Sequence, residues 1–345
     1  IYFIAYGLGQ LFWGLFSDAF GRRRALIISL SGFTLASFAC ALAPSFQFLI
    51  VARLLQGLMG GAPVIARAMV RDVSSGRDAA RMMTILGAIL TIATMFAPVL
   101  GSGLLVLFDW RACFAALGLL GAVFLIYTIM KLPETAGARR PERFTLRFLL
   151  HSGRFLFATR AFLVPLTVGA SIFAGFVSVS SVGAITVESA FGVGPESFGA
   201  LYAFAALSNT AGALFAGQML KRFTLRQLGS IAICILGLAV LAHGVLIFVT
   251  PSLQVFWGAV CLYVLAFGII LPTSMAAAME PAADMPGFAG SLMGAMQMAA
   301  ASMGAALAST LYDGTPRAIS MSMAMFGGLA ITALLVGRYG FRSKI

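Results

Sequence analysis

Charged residues are scarce in this sequence of 345 residues: they make up 10% of it, and only 11 residues are acidic. A soluble domain is usually about a quarter charged and about half apolar. Here 61% of the residues are hydrophobic and the mean hydropathy is +1.00. A water-soluble fold of this size is therefore excluded, and we expect the chain to fold in lipid.

Cysteine and histidine are also rare, with four and two residues. Each cysteine stands alone in an apolar run and no Cys-x-x-Cys pair occurs, so neither metal binding nor redox chemistry is expected. The sequence contains no Gly-rich phosphate-binding loop with its lysine and no Ser–His–Asp or His–Glu cluster. We expect no catalytic residue, no metal, no cofactor and no use of ATP, and the protein is not expected to be an enzyme.

Long apolar runs fill the rest of the chain, and a transmembrane helix needs about 20 such residues. The runs lack in–out alternation, so they indicate α-helices rather than barrel strands. An eleventh run, 1–17, starts without a methionine, and we expect it to be the second helix of a chain whose first helix is lacking. The ten complete runs cover 25–43, 46–66, 82–108, 112–130, 161–187, 198–220, 229–249, 252–279, 286–311 and 318–337.

The basic residues are distributed very unevenly between the connections. All but three of the 23 Lys and Arg residues lie in one alternate set, 18–24, 67–81, 131–160, 221–226 and 338–344. Of the others, Arg53 lies inside an apolar run, and Arg111 and Arg317 lie in the opposite connections. By the positive-inside rule the basic set is cytoplasmic. The net charge of +12 thus reports topology, and no nucleic-acid partner is expected.

The longest polar stretch, 131–160, separates five runs from six. With one helix before residue 1, the chain would form two pseudo-symmetric six-helix bundles, 1–130 and 161–345, joined by a cytoplasmic linker. Segments 14–23 and 217–226 form a faint repeat: each begins with Gly, with Phe six and Arg nine residues further on. Duplicated halves are typical of a large class of transporters.

Three motifs resemble those of the major facilitator superfamily. "GLFSDAFGRRRAL" is similar to its loop pattern Gly-x-x-x-Asp-x-x-Gly-Arg-Arg/Lys, and "RLLQG" is similar to its fourth-helix motif. "GAILTIATMFAPVLGSGLL" is similar to the fifth-helix motif of its exporting antiporters, with Ala97 where glycine is usual. Together they look most like the Bcr/CflA drug-resistance subfamily. The matched residues are Gly14, Asp18, Gly21, Arg22 and Arg23; Arg53, Gln56 and Gly57; and Gly87, Pro98 and Gly101.

The resemblance implies a conformational latch at the first motif. Asp18 is expected to cap the cytoplasmic N-terminus of the eleventh helix, near residues 286–290, where a carboxylate is favoured by the helix dipole. Arg22 and Arg24 are expected to pair with Asp72, so that the cluster, with Gly14 and Gly21 at its turn, holds the inner side closed. The alternative is that the arginines only orient the loop.

Arg53 is a charge inside the membrane, and such charges usually face a cavity and have a partner. Gln56 and Gly57 follow at helical spacing and share its face, as does Gly60. The resemblance implies that Arg53 couples to a proton-titrating carboxylate in the first, lacking helix. The alternative is an arginine that reaches outward to the membrane surface.

Other polar or kinked positions are further candidates. Pro98, with Gly87 and Gly101, predicts a kink in the fifth helix, which is either the antiporter bend of the family or a packing kink. Asn209 and Gln297 are uncharged polar residues in mid-helix, and either could line a cavity.

The function expected is proton-coupled export of small amphipathic compounds, including antibiotics, by alternating access. The partners would be a drug-like substrate, protons and membrane lipid, and the protein would be a monomer spanning the bacterial inner membrane many times. One alternative is a metabolite exporter or importer with a narrow substrate on the same scaffold. Another is a membrane-embedded enzyme or receptor, for which the sequence offers no catalytic cluster.

Overall fold

A computed structural model describes residues 1–74, 100–136, 144–219, 225–282 and 285–340, and the isolated positions 78, 82, 86, 89, 93, 97 and 222. Over these ranges the chain is almost wholly helical and contains no strand. The helices are α1 (Tyr2–Phe20), α2 (Arg22–Ala41), α3 (Phe46–Leu58), α4 (Ala62–Val73), α5 (Trp110–Lys131), α6 (Leu146–Ala158), α7 (Arg160–Phe191), α8 (Pro195–Met219), α9 (Leu225–Leu246), α10 (Leu253–Met279), α11 (Pro286–Thr310) and α12 (Arg317–Gly340).

Nine helical stretches among the described residues are long and apolar enough to cross a membrane. Many of their large apolar side chains are exposed, Leu241 and Val336 among them. This exposure is expected when the surrounding solvent is lipid. The predicted run 82–108 lies largely outside the described residues, and only its end, 100–107, is seen as continuous helix.

Helix starts follow from local side-chain chemistry. The Ser45 hydroxyl accepts the Phe48 N–H at 3.2 Å at the start of α3. The Asp109 carboxylate accepts the Arg111 and Ala112 N–H groups at 2.9 and 3.3 Å at the start of α5. Short oxygen-bearing side chains are favoured there because the first N–H groups of a helix lack backbone partners.

The span Phe46–Val73 is broken at residues 59–61 into α3 and α4, and this corrects the predicted single helix 46–66. Two glycines, Gly60 and Gly61, interrupt the regular bonding, and the Trp13 indole donates to the Leu58 carbonyl at 2.8 Å. The predicted connection 67–81 is also shorter, because α4 continues to Val73. Gly60 therefore does not continue the helical face of Arg53.

The chain forms two compact units. The first contains residues 1–92, 103–158 and 283–299. In it α2 packs against α5 and α3, and α1 packs against α3. Its amphipathic helix α6 buries Ser152 and Leu156, while Phe148 contacts Phe288 of α11 edge to face.

The second unit contains residues 93–102, 159–282 and 300–345. In it α10 packs against α7, α8 and α9, and α12 packs against α7 and α9. Its core includes fully buried Phe256 and Tyr263. Close approach of α8 to α10 depends on glycine, since a Cβ at Gly268 would collide with the Asn209 carbonyl.

Candidate functional site

Arg22 is the centre of an ionic cluster, the Arg22 cluster, where α1, α2 and α4 meet. Its Nε donates to Asp72 Oδ2 at 2.8 Å, and its Nη1 donates to the Ser17 hydroxyl at 2.8 Å and to Asp18 Oδ1. The side chains of Arg22, Asp18 and Asp72 are only 11%, 14% and 21% exposed. Charge-assisted bonds of this kind are about twice as strong as neutral ones.

Asp18 also lies beside the first turn of α11. A Cβ built on Gly287 would lie 3.6 Å from Asp18 Oδ2 and 3.7 Å from an Arg71 guanidinium nitrogen. Gly287 follows Pro286, the first residue of α11. The carboxylate thus lies where the positive end of the helix dipole favours it.

Two glycines shape this part of α1. Gly14 leaves space for Ser291 of α11, whose hydroxyl a Cβ there would collide with. Gly21 has φ +104°, which other residues rarely adopt, and it separates α1 from α2 by a single residue. The tight turn sets Arg22 at the start of α2, one helical turn from Asp18.

Arg24 is placed differently from the expectation. The structure brings Arg22, not Arg24, to Asp72; Arg24 is exposed, and no ion pair of it occurs within the described residues. The reason is helical geometry: Arg24 follows Arg22 by two positions, so it points to another side of α2.

Glu134 is a member of this region that sequence reasoning missed. Its Oε1 accepts the backbone N–H groups of Arg22 at 2.8 Å and Arg23 at 3.4 Å. It also accepts those of Thr135 and Ala136, at 3.0 and 3.1 Å. Burial opposes ionisation of Glu134, but these four bonds outweigh it and hold the pKa of the carboxyl below its usual value. Glu134 therefore caps α2 from the chain segment that follows α5.

We expect Glu134→Ala to destabilise the purified protein by about 1 kcal/mol, the usual cost of removing a helix cap. Because the pKa is depressed in the fold, the charge stabilises the protein above the carboxyl's unfolded pKa of about 4.3 and stops doing so as the pH falls through the folded value. Melting temperatures in detergent should show this acid-dependent component in the wild type. It should be absent in Glu134→Gln, and an identical pH profile for the two proteins would contradict the capping role.

Arg53 of α3 has aromatic partners. Its guanidinium carbon lies 4.0 Å from the centre of the Tyr2 ring and 5.3 Å from that of Phe114. Its Nη1 donates to Gln56 Oε1 at 2.6 Å. Among the described residues no carboxylate lies within ion-pair distance of it, so its expected pairing with a carboxylate stays a prediction.

Gln56 carries the polar contact of Arg53 into the bundle. It is 1% exposed, and its Nε2 donates to the Ser37 hydroxyl at 2.7 Å, which in turn donates to the Phe33 carbonyl at 2.7 Å. A buried polar chain of this kind is stabilising only when its members are satisfied. These hydrogen bonds fix the orientation of the Gln56 amide. The amide in turn positions the Arg53 guanidinium through its own hydrogen bond.

Gly57 lets α1 approach α3 at the level of Arg53. A Cβ there would lie 2.9 Å from both Ala5 Cβ and the Tyr2 carbonyl oxygen, closer than real Cβ atoms come. Gly57→Ala should therefore move Tyr2 away from Arg53 and lower the free energy of unfolding by about 1–3 kcal/mol, as overpacking does.

The matched control for Gly57→Ala is Gly103→Ala, because nothing lies within 4 Å of a Cβ at Gly103. The melting temperature and the transport rate should be lower than those of the wild type in Gly57→Ala and unchanged in Gly103→Ala. Equal behaviour of the two variants would show that close packing at Gly57 is unimportant.

The remaining candidates occupy separate places. Gln297 is 6% exposed, and its Nε2 has no hydrogen-bond partner in the part of the chain that the structure describes. Asn209 lies half-buried against Gly268 in the second unit. Gly87 and Pro98 lie outside the described residues, whereas Gly101 is helical. No group of three or more metal-binding side chains occurs among the residues that the structure describes.

The fold and the two charged sites define a helical membrane protein of many spans, with an ionic cluster at helix ends and an arginine within a span. A family model described as Major Facilitator Superfamily matches residues 1–309. The chain therefore belongs to the Major Facilitator Superfamily, as its motifs predicted, and it is a multi-pass protein of the bacterial inner membrane with the major facilitator fold.

Three bacterial relatives match most of the chain. Multidrug resistance protein D of Escherichia coli K12 is 27% identical over 342 residues, covering 97% of this chain and 84% of the relative. The bicyclomycin resistance protein homolog of Haemophilus influenzae is 28% identical over 320 residues, covering 90% and 79%. The uncharacterized MFS-type transporter YdgK of Bacillus subtilis is 29% identical over 348 residues, covering 97% and 85%. These similarities confirm the predicted resemblance to the Bcr/CflA drug-resistance transporters.

Solved structures share the fold. The human organic anion transporter MFSD10 matches with a TM-score of 0.71 and 20% identity, covering 97% of this chain and 82% of that one. A D-xylose–proton symporter matches with a TM-score of 0.73 and 16% identity, covering 97% and 85%. At such identities the likeness concerns the fold alone.

Proposed function

We propose that this protein exports small amphipathic compounds, antibiotics among them, in exchange for protons. The observation that carries the proposal is the Arg22 cluster, in which one guanidinium joins Asp18 and Asp72 beside the start of α11. An ionic contact that can open and re-form is what an alternating-access cycle requires at one side of the membrane. The names of two relatives, which refer to multidrug and bicyclomycin resistance, support drugs as the substrate class.

In this mechanism the Arg22 cluster is a latch that holds the inner side closed while substrate leaves to the outside. Two helical halves, 1–130 and 161–345, are joined by linker 131–160 and alternate in access. Arg53 and Gln56 provide a fixed positive charge and an amide for coupling. Asn209 and Gln297 are the candidates for contact with the substrate, and the kink predicted from Gly87, Pro98 and Gly101 is the candidate for bending. The protein works as a monomer in lipid, carries no cofactor and catalyses no chemical conversion.

Coupling to protons needs a group that gains and loses charge during the cycle. The fixed charge of Arg53 would lower the proton affinity of a titratable group beside it, and a proton and a substrate that both bind to that group would compete for it. This competition links export to proton entry without any covalent chemistry.

The test is transport in membrane vesicles from a host that lacks its own pumps. Inside-out vesicles energised with a proton gradient should accumulate an amphipathic dye when they contain the protein, and an uncoupler should abolish the accumulation. Vesicles with the same amount of Asp18→Asn protein provide the control. Uptake into right-side-out vesicles instead would favour an importer, and export that resists the uncoupler would contradict proton coupling.

A further inference from the structure

A groove on the first unit lies beside the Arg22 cluster but takes no part in it. It has a volume of about 700 Å³ and lies at the N-terminal end of α2, where the arginines are. One end of it is basic and the other is apolar. Its lining residues are Phe20, Arg23, Arg24, Ile27, Ile28 and Glu134.

Neither arginine of the basic end has an acidic partner among the described residues. Arg23 Nη2 donates to the Ile129 carbonyl at 2.6 Å, which fixes its guanidinium over the end of α5. Arg24 is exposed, and no carboxylate pairs with it within the described residues. The groove thus offers one held guanidinium and one available guanidinium.

The acidic residue of the groove is bonded to backbone N–H groups and not to the arginine side chains. Glu134 Oε1 accepts four backbone N–H groups, and Oε2 lies over Gly21, where a Cβ would collide with it. The carboxylate is therefore turned toward the first turn of α2 and its helix dipole.

The other end of the groove is apolar and open to the surroundings. Phe20 is 38% and Ile28 43% exposed, and Ile27 is partly buried between the arginines and the rest of α2. Because α2 is a candidate span that begins at Arg22, this wall continues from the basic end into the hydrocarbon region. A cation above an apolar wall at a helix end matches a lipid phosphate above its acyl chain.

We propose that this groove binds an anionic phospholipid, with the phosphate on Arg24 and Arg23 and an acyl chain along Ile27 and Ile28. The strongly basic set of connections, to which 18–24 belongs, places the groove at the cytoplasmic leaflet. Binding of this lipid would restrict the motion of the first turns of α2, next to Arg22, whichever compound the protein transports.

The experiment is native mass spectrometry of the full, delipidated chain titrated with phosphatidylglycerol, phosphatidylcholine or phosphatidylethanolamine of the same acyl composition. Phosphatidylglycerol should bind in preference to the other two. Arg24→Gln should weaken its binding about fivefold, the usual effect of one basic residue at an anionic surface. Arg24→Lys should retain most of it, and Ile28→Asn should weaken it through the apolar wall.

Arg154→Gln is the matched control, since Arg154 is an exposed arginine of α6 in the same basic set but outside the groove. Wild-type binding by Arg154→Gln together with weaker binding by Arg24→Gln would support the proposal. Equal losses in both variants would indicate diffuse surface charge and overturn it. So would unchanged binding by Arg24→Gln, preference for phosphatidylethanolamine, or displacement of the lipid by inorganic phosphate.

Discussion

Asp18→Asn should reduce drug export about tenfold while leaving the protein inserted in the membrane. The substitution keeps the shape of the side chain but removes its negative charge from Arg22 and from the first turn of α11. Loss of about 1.4 kcal/mol from the closed inner side corresponds to this factor. The pair is shielded from solvent, so its loss should exceed the effect of an ordinary surface ion pair. Dye efflux from energised cells at matched protein levels measures it.

Asp109→Asn is the control for that prediction. Asp109 is about half exposed and approaches Arg111 only to 3.8 Å, and its capping bonds to α5 can be made by asparagine as well. Its export should equal that of the wild type. Normal export by Asp18→Asn would remove the latch from the mechanism, whereas equal losses in both variants would point to a general effect of acidic residues.

Arg53→Lys should abolish most drug tolerance although the positive charge is kept. Lysine lacks the planar guanidinium that stacks over Tyr2 at 4.0 Å while donating to Gln56 at 2.6 Å. A lysine ammonium can keep part of the attraction to the Tyr2 ring but not the stacked geometry that also donates to Gln56, and a hydrogen bond from a charged donor contributes about 1.5–3 kcal/mol, enough for a change of about tenfold or more. Minimum inhibitory concentrations in a pump-deficient host, compared with and without an uncoupler, measure the effect.

Arg111→Lys is the matched control, because Arg111 stacks over Trp110 at 4.4 Å but its side chain is 47% exposed. It should leave tolerance unchanged. Two companion variants distinguish the role of the Tyr2 ring from that of its hydroxyl. Tyr2→Phe keeps the ring and should confer normal tolerance, whereas Tyr2→Leu removes the ring and should confer less. Full tolerance conferred by Arg53→Lys would show that the positive charge suffices at this position and that the planar contact with Tyr2 and Gln56 is not needed.

Most of the helices could be predicted because their apolar composition alone indicates that they lie in lipid. A run of apolar residues ended by Arg or Gly is enough to place α2, α5 or α12. The break between α3 and α4 could not be placed in this way, since Gly60 and Gly61 are also common inside membrane helices. The break depends on Trp13, which lies 45 residues before Leu58 and donates to its carbonyl.

The site was predictable where its partners follow a motif and not where they come from elsewhere in the chain. Asp18, Arg22 and Asp72 were expected near one another, and the structure places them in contact. Glu134 has no such signal: it follows α5 in a short polar stretch, and its role depends on backbone N–H groups more than 100 positions earlier. The aromatic contact of Arg53 with Tyr2 was equally invisible, because ring stacking leaves no spacing pattern between distant helices.

The interruption at residues 59–61 has a mechanical consequence. Arg53 lies before the interruption and Asp72 lies after it. The two charged residues therefore belong to helices that no continuous series of backbone hydrogen bonds connects. We expect a rotation of α4 to be transmitted only weakly to α3, because the helical hydrogen bonds stop at the two glycines. The bond from the Trp13 indole to the Leu58 carbonyl would then hold the end of α3 in place, and Arg53 would keep its contact with Tyr2.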